Sequence, residues 1–565
     1  FADESSTNKM FAAENYKQEL DLYSGVLNTS YDLFGETEIS AFAHQAIPNL
    51  FVMKIDRKFD SPQKKIVLNI DCETSEYQNN QFNWPVNPVQ CSFQIEKDRA
   101  LITSKTNLTT TNWIIHAGEV NEIDYDDNKV KITLNDTENI IRILVLRDDC
   151  PGKEILNKSY TELKKEHKTK WHQSWQKSWI DFPSDRAQKI WSRMKYYAIS
   201  HFPVIPEKPL IPTGLNSNIW GFTFPQDVYY VEENMPRIGH VSRAEKALQY
   251  WLDILPQVKD YTERIMNTKG AFYPWTPPYE DWEKYEKDGV VSPDSYELHN
   301  PAYVLAMVWH YYKYSGDQEF LQKYFPVIQE VWRFYSNISL KNEDGQYDVY
   351  HEHARGQDEA STTDGKLWNL LCASYSAEYS CRTFLKAAQI VTDIDQELLD
   401  RAKAINKAGY ERETLMTDKG YYKTYERDDR PPNSQKHPVQ LNPIAFLPMP
   451  ELVNEGSPVE IAYENRYDLT YKANKPKTRG WTFGEFFLAS VRVGRPDQAL
   501  KDISTIQICR GADPRWIQFY ESSFWPGWHM NKSYYFPMHS LFMQGFTDML
   551  VQDWRGYLDL FACVF

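Results

Sequence analysis

The chain has 565 residues, more than one core usually organises, so two or more domains are expected. Hydrophobic residues make up 42% and charged residues 25%, which excludes disorder as the default state. A net charge of −15 disfavours a phosphate backbone as partner and leaves a neutral substrate open, and no apolar run approaches the ~20 residues that span a bilayer.

Aromatic residues reach 15%, with 18 Trp and 37 Tyr. They suit a large core plugged with rings, or a pocket that stacks sugars on flat faces. The seven Cys contain no C-x-x-C pair, which argues against a zinc ribbon or a redox motif, and their odd number leaves at least one free thiol. Position 1 is Phe, so the N-terminus is processed or trimmed. A removed signal peptide would place the protein outside the cytoplasm, secreted or periplasmic; a trimmed boundary leaves the cytoplasm open. Sequons begin at Asn28, Asn107, Asn135, Asn157, Asn337 and Asn531, and they permit glycosylation without showing it.

Residues 1–160 read as an antiparallel β-sandwich. "KKIVLNID" (64–71), "RALITS" (99–104), "NWIIHAGEV" (112–120), "NKVKITLN" (128–135) and "IIRILVLRD" (140–148) are rich in Val, Ile, Leu and Thr, with Asp, Asn and Gly between them. Strict alternation over Lys129–Leu134 puts one face inside and one in water. Residues 161–185 read as a helical linker. Trp171, Trp175 and Trp179 recur every four residues and predict one aromatic seam along a helix, buried between two domains.

Residues 186–565 read as helical: 241–255, 301–317, 317–338, 365–391, 395–408, 484–494, 496–506 and 538–553, with Ser184 capping a run before them. Long loops rich in Trp, Tyr, Pro and Gly separate these helices. Antiparallel helix pairs with functional loops gathered at one end describe an (α/α)6 barrel, so the fold class is multidomain α+β. There is no repeat of the solenoid kind.

Four loop segments carry acids among aromatics: "GLNSNIWGFTFPQDVYY" (214–230), "KGAFYPWTPPYEDW" (269–282) with "SPDSYELHN" (292–300), "GQDEASTTDGKLWNL" (356–370) and "KTRGWTFGEFFLAS" (477–490). Glycosidic hydrolysis needs a protonated carboxyl for the leaving oxygen and a carboxylate at the other sugar face. Aromatic surroundings desolvate a carboxyl and keep it protonated near neutrality. Each acid also has a plainer reading: Glu359 as a solvated loop residue beside Asp358, and Glu485 as a first-turn helix acid favoured by the macrodipole. His351-Glu352-His353 has the i, i+2 spacing of a strand and not the helical spacing of a zinc site, so no metal is expected.

In order and spacing these segments resemble the clan L glycoside hydrolases, above all glycoside hydrolase family 65. "KGAFYPW" is similar to the family's G-A-x-Y-P-W, and "YELHNPAYVLAMVWHYYKYSGD" to its glutamate and histidine helix region. "GQDEA" is similar to G-P-D-E-Y, with Gln357 in place of Pro and Ala360 in place of Tyr. The resemblance implies a general acid at Glu359. The family's phosphate-binding H-G-S-S-L-S loop corresponds to "RGWTFGE", where a carboxylate appears at Glu485, the place of the general base in the clan's hydrolases. It implies an inverting, exo-acting α-glycoside hydrolase, most closely an α-glucosidase on disaccharides, with no cofactor and a carboxyl gap of ~6.5–9.5 Å. Trp220, Phe224, Asp227, Trp275, Glu297, His299 and Trp481 are the expected sugar-binding residues, and Trp525 and Trp528 are further aromatic candidates. The alternatives are a phosphorylase of the same fold and a non-catalytic carbohydrate-binding protein.

Overall fold

The structure, a computed structural model, describes residues 13–563 other than 72–89, 202–222, 283–295, 358–367, 471–479, 521–534 and shorter stretches of up to six residues. The chain divides into two compact units, Phe1–Trp179 and Ile180–Phe565.

The first unit holds an eight-stranded antiparallel sheet in the order β1-β2-β3-β4-β11-β8-β7-β6 and a three-stranded sheet in the order β5-β10-β9. The strands are β1 (Glu14–Asp21), β2 (Val26–Asp32), β3 (Gly35–Ala43), β4 (Leu50–Phe59), β5 (Ile66–Asp71), β6 (Gln90–Glu96), β7 (Arg99–Lys105), β8 (Thr110–His116), β9 (Glu122–Asp126), β10 (Lys129–Leu134) and β11 (Glu138–Leu146). The expected alternation on β10 buries Val130, Ile132 and Leu134. These three meet Ile102, Ile115 and Ile141 of the larger sheet, so the two sheets share one apolar core. Strands β1 to β4 precede the first strand expected from the sequence. The outer strand β1 is exposed along its length, which leaves no apolar alternation to detect.

Helix α1 (Tyr160–Gln176) starts at a capping box in which Ser159 and Glu162 satisfy each other's backbone N–H groups. Its buried face carries Leu163, His167, Trp171 and Trp175. The Trp175 indole donates to Leu22 O at 2.9 Å, and Gln45 N donates to His167 Nδ1 at 3.1 Å. The expected three-indole seam is corrected here. The helix ends at Gln176, so Trp179 leaves the face and is 51% exposed, while Trp171 and Trp175 bury within the first unit.

Among the described residues of the second unit the helices are α2 (Asp185–His201), α3 (Pro225–Glu232), α4 (Val241–Asp253), α5 (Leu255–Ile265), α6 (Asn300–Ser315), α7 (Gln318–Asn337), α8 (Leu371–Ala387), α9 (Gln396–Ala408), α10 (Asn442–Ala445), α11 (Pro458–Glu464), α12 (Thr482–Arg492), α13 (Pro496–Ile508) and α14 (Phe536–Leu550), with two further single turns at Asn234–Arg237 and Arg466–Leu469. Six of them close a circuit in which each packs on the next: α3, α6, α8, α10, α12, α14 and back to α3. Before and between these in sequence come helices that pack against the circuit: α2 on α14, α4 on α6, α7 on α6 and α8, α9 on α8, and α13 on α12. Pro stands in the first turn of α3, α6, α10 and α14, where its missing N–H costs nothing. Among the described residues, no helix is long and apolar enough to cross a membrane.

Buried ion pairs tie the circuit. Arg492 of α12 donates to Asp548 of α14 at 2.8 Å and to the carbonyls of Ile444 and Ala445 at 2.8 and 2.7 Å. Asp548 also pairs with Arg237. One glycine is fixed by close approach: Gly270 has φ +115°, and an added Cβ would lie 2.3 Å from Phe334 N of α7. Ala271 N donates to Glu330 O of the same helix at 2.8 Å, so neither backbone can retreat. Gly270→Ala should therefore destabilise the protein by at least ~2 kcal/mol, seen as a lower thermal midpoint. An unchanged midpoint would show that this strap is loose.

Candidate active site

The expected site residues gather where the circuit helices begin. Phe224 precedes Pro225 and Asp227 lies in the first turn of α3, while Glu297 and His299 lead into α6. Asn442 opens α10, Trp481 caps α12 with Glu485 in its first turn, and Tyr535 caps α14. Gln357 lies on the segment that leads towards α8. A parallel bridge between Glu297 and Arg355 lays that segment beside the start of α6.

Hydrogen bonds join these starts across the ring. Tyr535 Oη donates to Asp227 Oδ1 at 2.8 Å. His299 Nε2 donates to Gln226 Oε1 at 2.6 Å, and Asn300 Nδ2 to Glu297 Oε2 at 3.2 Å. Asn442 Nδ2 donates to Gln357 Oε1 at 2.7 Å, and Gln357 Nε2 to the Tyr303 oxygen at 2.9 Å. Aromatic faces complete the wall. Phe224 and Trp275 meet at 5.1 Å between centroids, His437 stacks on Trp481 at 3.7 Å, and Tyr230 lies 5.7 Å from Trp481.

Several fully buried polar atoms in this cluster have no protein partner: both carboxyl oxygens of Glu485, the Tyr230 hydroxyl, His299 Nδ1, Asn300 Oδ1 and Asn442 Oδ1. Buried polar atoms are rarely left unpaired, and a concentration of them marks a place where water or a ligand completes the bonding. Burial raises the Glu485 carboxyl well above its ordinary value, because no charge or donor offsets the lost hydration. Burial likewise holds His299 at about 3, so its ring is neutral and Nδ1 presents a lone pair.

Glu359 and Trp220 lie outside the described residues, as do Trp525 and Trp528. The structure brings the other seven candidates, Phe224, Asp227, Trp275, Glu297, His299, Trp481 and Glu485, to the starts of the circuit helices or the loops leading to them. Sequence reasoning missed Gln226, Tyr230, Asn300, Tyr303, His437, Asn442 and Tyr535. Two of these carry a legible signal, since the Asn-Pro pairs at 300–301 and 442–443 each open a ring helix. His351 is spent on main chain: Nε2 donates to Met266 O at 2.8 Å and Nδ1 accepts from His353 N at 3.0 Å.

A cavity of about 450 Å³ lies elsewhere in the unit, lined by Trp309, Lys313, Lys386 and Trp554 among others. Lys313 and Lys386 sit in the last turns of α6 and α8, where cations offset the negative end of a helix dipole. None of the expected site residues lines it. Tyr303 and Lys313 are ten residues apart on α6, roughly 15 Å along the helix, which separates this cavity from the site.

A closed circuit of six helices with outer partners, and acids and aromatic rings at the helix starts, is the six-hairpin glycosidase fold. Residues 244–524 match the model of the glycosyl hydrolase family 95 catalytic domain. A kojibiose hydrolase of Flavobacterium johnsoniae is 23% identical over 412 residues, covering 64% of this chain and 58% of the relative. A kojibiose phosphorylase of Halothermothrix orenii is 25% identical over 281 residues, covering 46% of this chain and 34% of the relative. These relatives are of the family 65 type, and the chain spans less than two thirds of the length of either. A solved structure from the human microbiome, described as a candidate kojibiose phosphorylase, superposes with a TM-score of 0.59 at 13% identity, covering 97% of this chain and 90% of that one.

Proposed function

We propose that the protein is an inverting, exo-acting α-glycoside hydrolase that cleaves an α-glucosyl disaccharide such as kojibiose. In this reading the first unit is a β-sandwich and the second an (α/α)6 barrel, with the site at the mouth formed by the inner helix starts. The observation that carries it is the set of unpaired buried polar atoms at the starts of the ring helices, Glu485 among them, beside the aromatic pairs Phe224–Trp275 and His437–Trp481. A sugar offers hydroxyls to such atoms and a flat face to such rings.

Glu359 donates its proton to the glycosidic oxygen as the bond to the anomeric carbon breaks. A water attacks that carbon from the opposite face, and Glu485 takes the water's proton. Trp220, Phe224, Trp275 and Trp481 stack on the sugar. Asp227, Glu297 and His299 hold hydroxyls, His299 accepting at Nδ1. No cofactor enters.

The relative of Halothermothrix orenii supports a second reading, in which phosphate takes the place of water. An ionised Glu485 would repel that dianion, while a water nucleophile requires a base. Reaction on kojibiose, with and without phosphate, separates the readings by proton NMR. The first-released anomer should be β, the rate should be indifferent to phosphate, and no sugar 1-phosphate should form. A sugar 1-phosphate would establish phosphorolysis, first release of the α anomer would exclude inversion, and no release in either condition would leave a binding protein.

A further inference from the structure

We propose that the cavity beside Lys386 is a second ligand site, separate from the candidate active site, and that it takes a monosaccharide bearing one anionic group, a phosphate or a carboxylate. The inference does not depend on the acid and base roles proposed above.

The cavity lies where ring helices run out. Lys313 and Lys386 stand in the last turns of α6 and α8, residues 448–451 follow α10, and residues 553–558 follow α14. Its volume of about 450 Å³ falls in the range of small-ligand sites. The buried part of its wall is fixed in place. The Trp554 indole donates to Arg492 O at 3.1 Å. His310 is bonded at Nδ1 to Glu233 at 2.6 Å and at Nε2 to the Tyr379 hydroxyl at 2.9 Å. These rings are held by their own partners and cannot turn to fill the space.

The charges of the lining do not balance. Four Lys and Arg side chains and two carboxylates line the cavity. Lys313 pairs with Asp553 at 3.0 Å, and Arg382 pairs with Glu451. Lys386 and Arg555 have no acidic partner among the described residues, and the Arg555 guanidinium lies over the Trp554 ring at 5.1 Å. The negative ends of α6 and α8 offset about half a charge each, which leaves the lining about one charge positive. That surplus stands in a chain of net charge −15. Lys386 is set among like charges: desolvation first, and then the charges of Lys313 and Arg382, lower its ammonium pKa from the ordinary value. A bound anion relieves that repulsion. Trp309, Trp554 and Tyr557 add aromatic surface, and Tyr557 is 57% exposed. Such rings suit the apolar face of a sugar, and paired cations and carboxylates suit hydroxyls, which both donate and accept. A neutral sugar would leave the surplus charge unmatched, and a bare anion would leave the rings unused.

Isothermal titration calorimetry with glucose 6-phosphate and with glucuronate tests this, with glucose and inorganic phosphate as comparison ligands. At least one anionic sugar should bind about tenfold tighter than glucose and than inorganic phosphate, and the tighter of the two identifies the charged group. Lys386→Met should weaken that binding about tenfold and Tyr557→Ala about threefold, both with unchanged melting temperature, because Lys386 and Tyr557 stand at the surface. Rising salt should weaken the anionic sugar more than glucose. Glu485→Gln should leave the binding as it is, which separates this cavity from the candidate active site. The proposal is overturned if neither anionic sugar binds, or if glucose or inorganic phosphate binds as tightly. It is equally overturned if the binding survives Lys386→Met or Tyr557→Ala intact, or is lost in Glu485→Gln. A chain that hydrolyses no disaccharide would overturn the proposed function by itself, and the titration would still report on Lys386.

Discussion

Glu359→Gln should lower turnover of an α-glucosyl disaccharide by at least ~100-fold, the usual scale of a general acid's contribution. Gln keeps the size of Glu and most of its hydrogen bonding, and it has no proton to give. The leaving group of a disaccharide is an alkoxide of high basicity, so its departure depends on protonation. An aryl glycoside leaves as a phenoxide and needs little help, so its turnover should fall far less. This asymmetry separates a lost acid from a disturbed fold, which would slow both substrates alike. Comparable loss on the two substrates would reduce Glu359 to a structural role, and near-normal disaccharide turnover would remove it from the mechanism.

How far the sequence reaches is visible in the ring helices. Helix α6 was legible because it is long and apolar, ends at Gly316 in the left-handed conformation and is followed by the Asp317 cap of α7. The short helices α3 and α10 were not, since eight and four residues give too little periodicity to read. Their starts are nevertheless marked by Pro225 and by Asn442-Pro443, a punctuation that propensity alone does not weigh. The acids followed the same logic. Glu485 could be placed because "GEFFLAS" reads as a helix start. The other unpaired polar atoms near the helix starts, from Tyr230, His299, Asn300 and Asn442, come from segments up to 212 residues apart, and no local pattern joins them. The aromatic seam failed for a local reason: the helix stops at Gln176, three residues before its third indole.

The same unpaired atoms set a cost. A buried carboxyl without a bonding partner is destabilising once ionised, while at the other end of α12 Arg492 is bonded to Asp548 and to the carbonyls of Ile444 and Ala445. Helix α12 carries both features, with Glu485 in its first turn and Arg492 in its last.

Glu485→Gln should therefore abolish hydrolysis and stabilise the protein, and both effects come from the desolvated carboxyl. Its pKa in the folded state lies well above the ordinary value of 4.5. Below 4.5 the carboxyl is protonated in folded and unfolded chains alike, and it contributes no pH dependence. As pH rises past that value the unfolded chain releases the proton and the folded chain retains it. The unfolded state is favoured by about 1.4 kcal/mol per pH unit until the folded pKa is crossed. The amide cannot ionise, so the melting temperature of Glu485→Gln should match that of the native chain near pH 4.5 and pull ahead steadily above it. In the proposed mechanism Glu485 must ionise over the same window to activate water, so the acidic limb of kcat/KM should lie above the ordinary carboxylate range. The stabilisation and the missing activity then trace one titration, read by calorimetry and by kinetics. A melting difference that does not grow with pH would show that Glu485 is ionised and partnered in the folded state. A variant that still hydrolyses disaccharide would show that water is activated by another group.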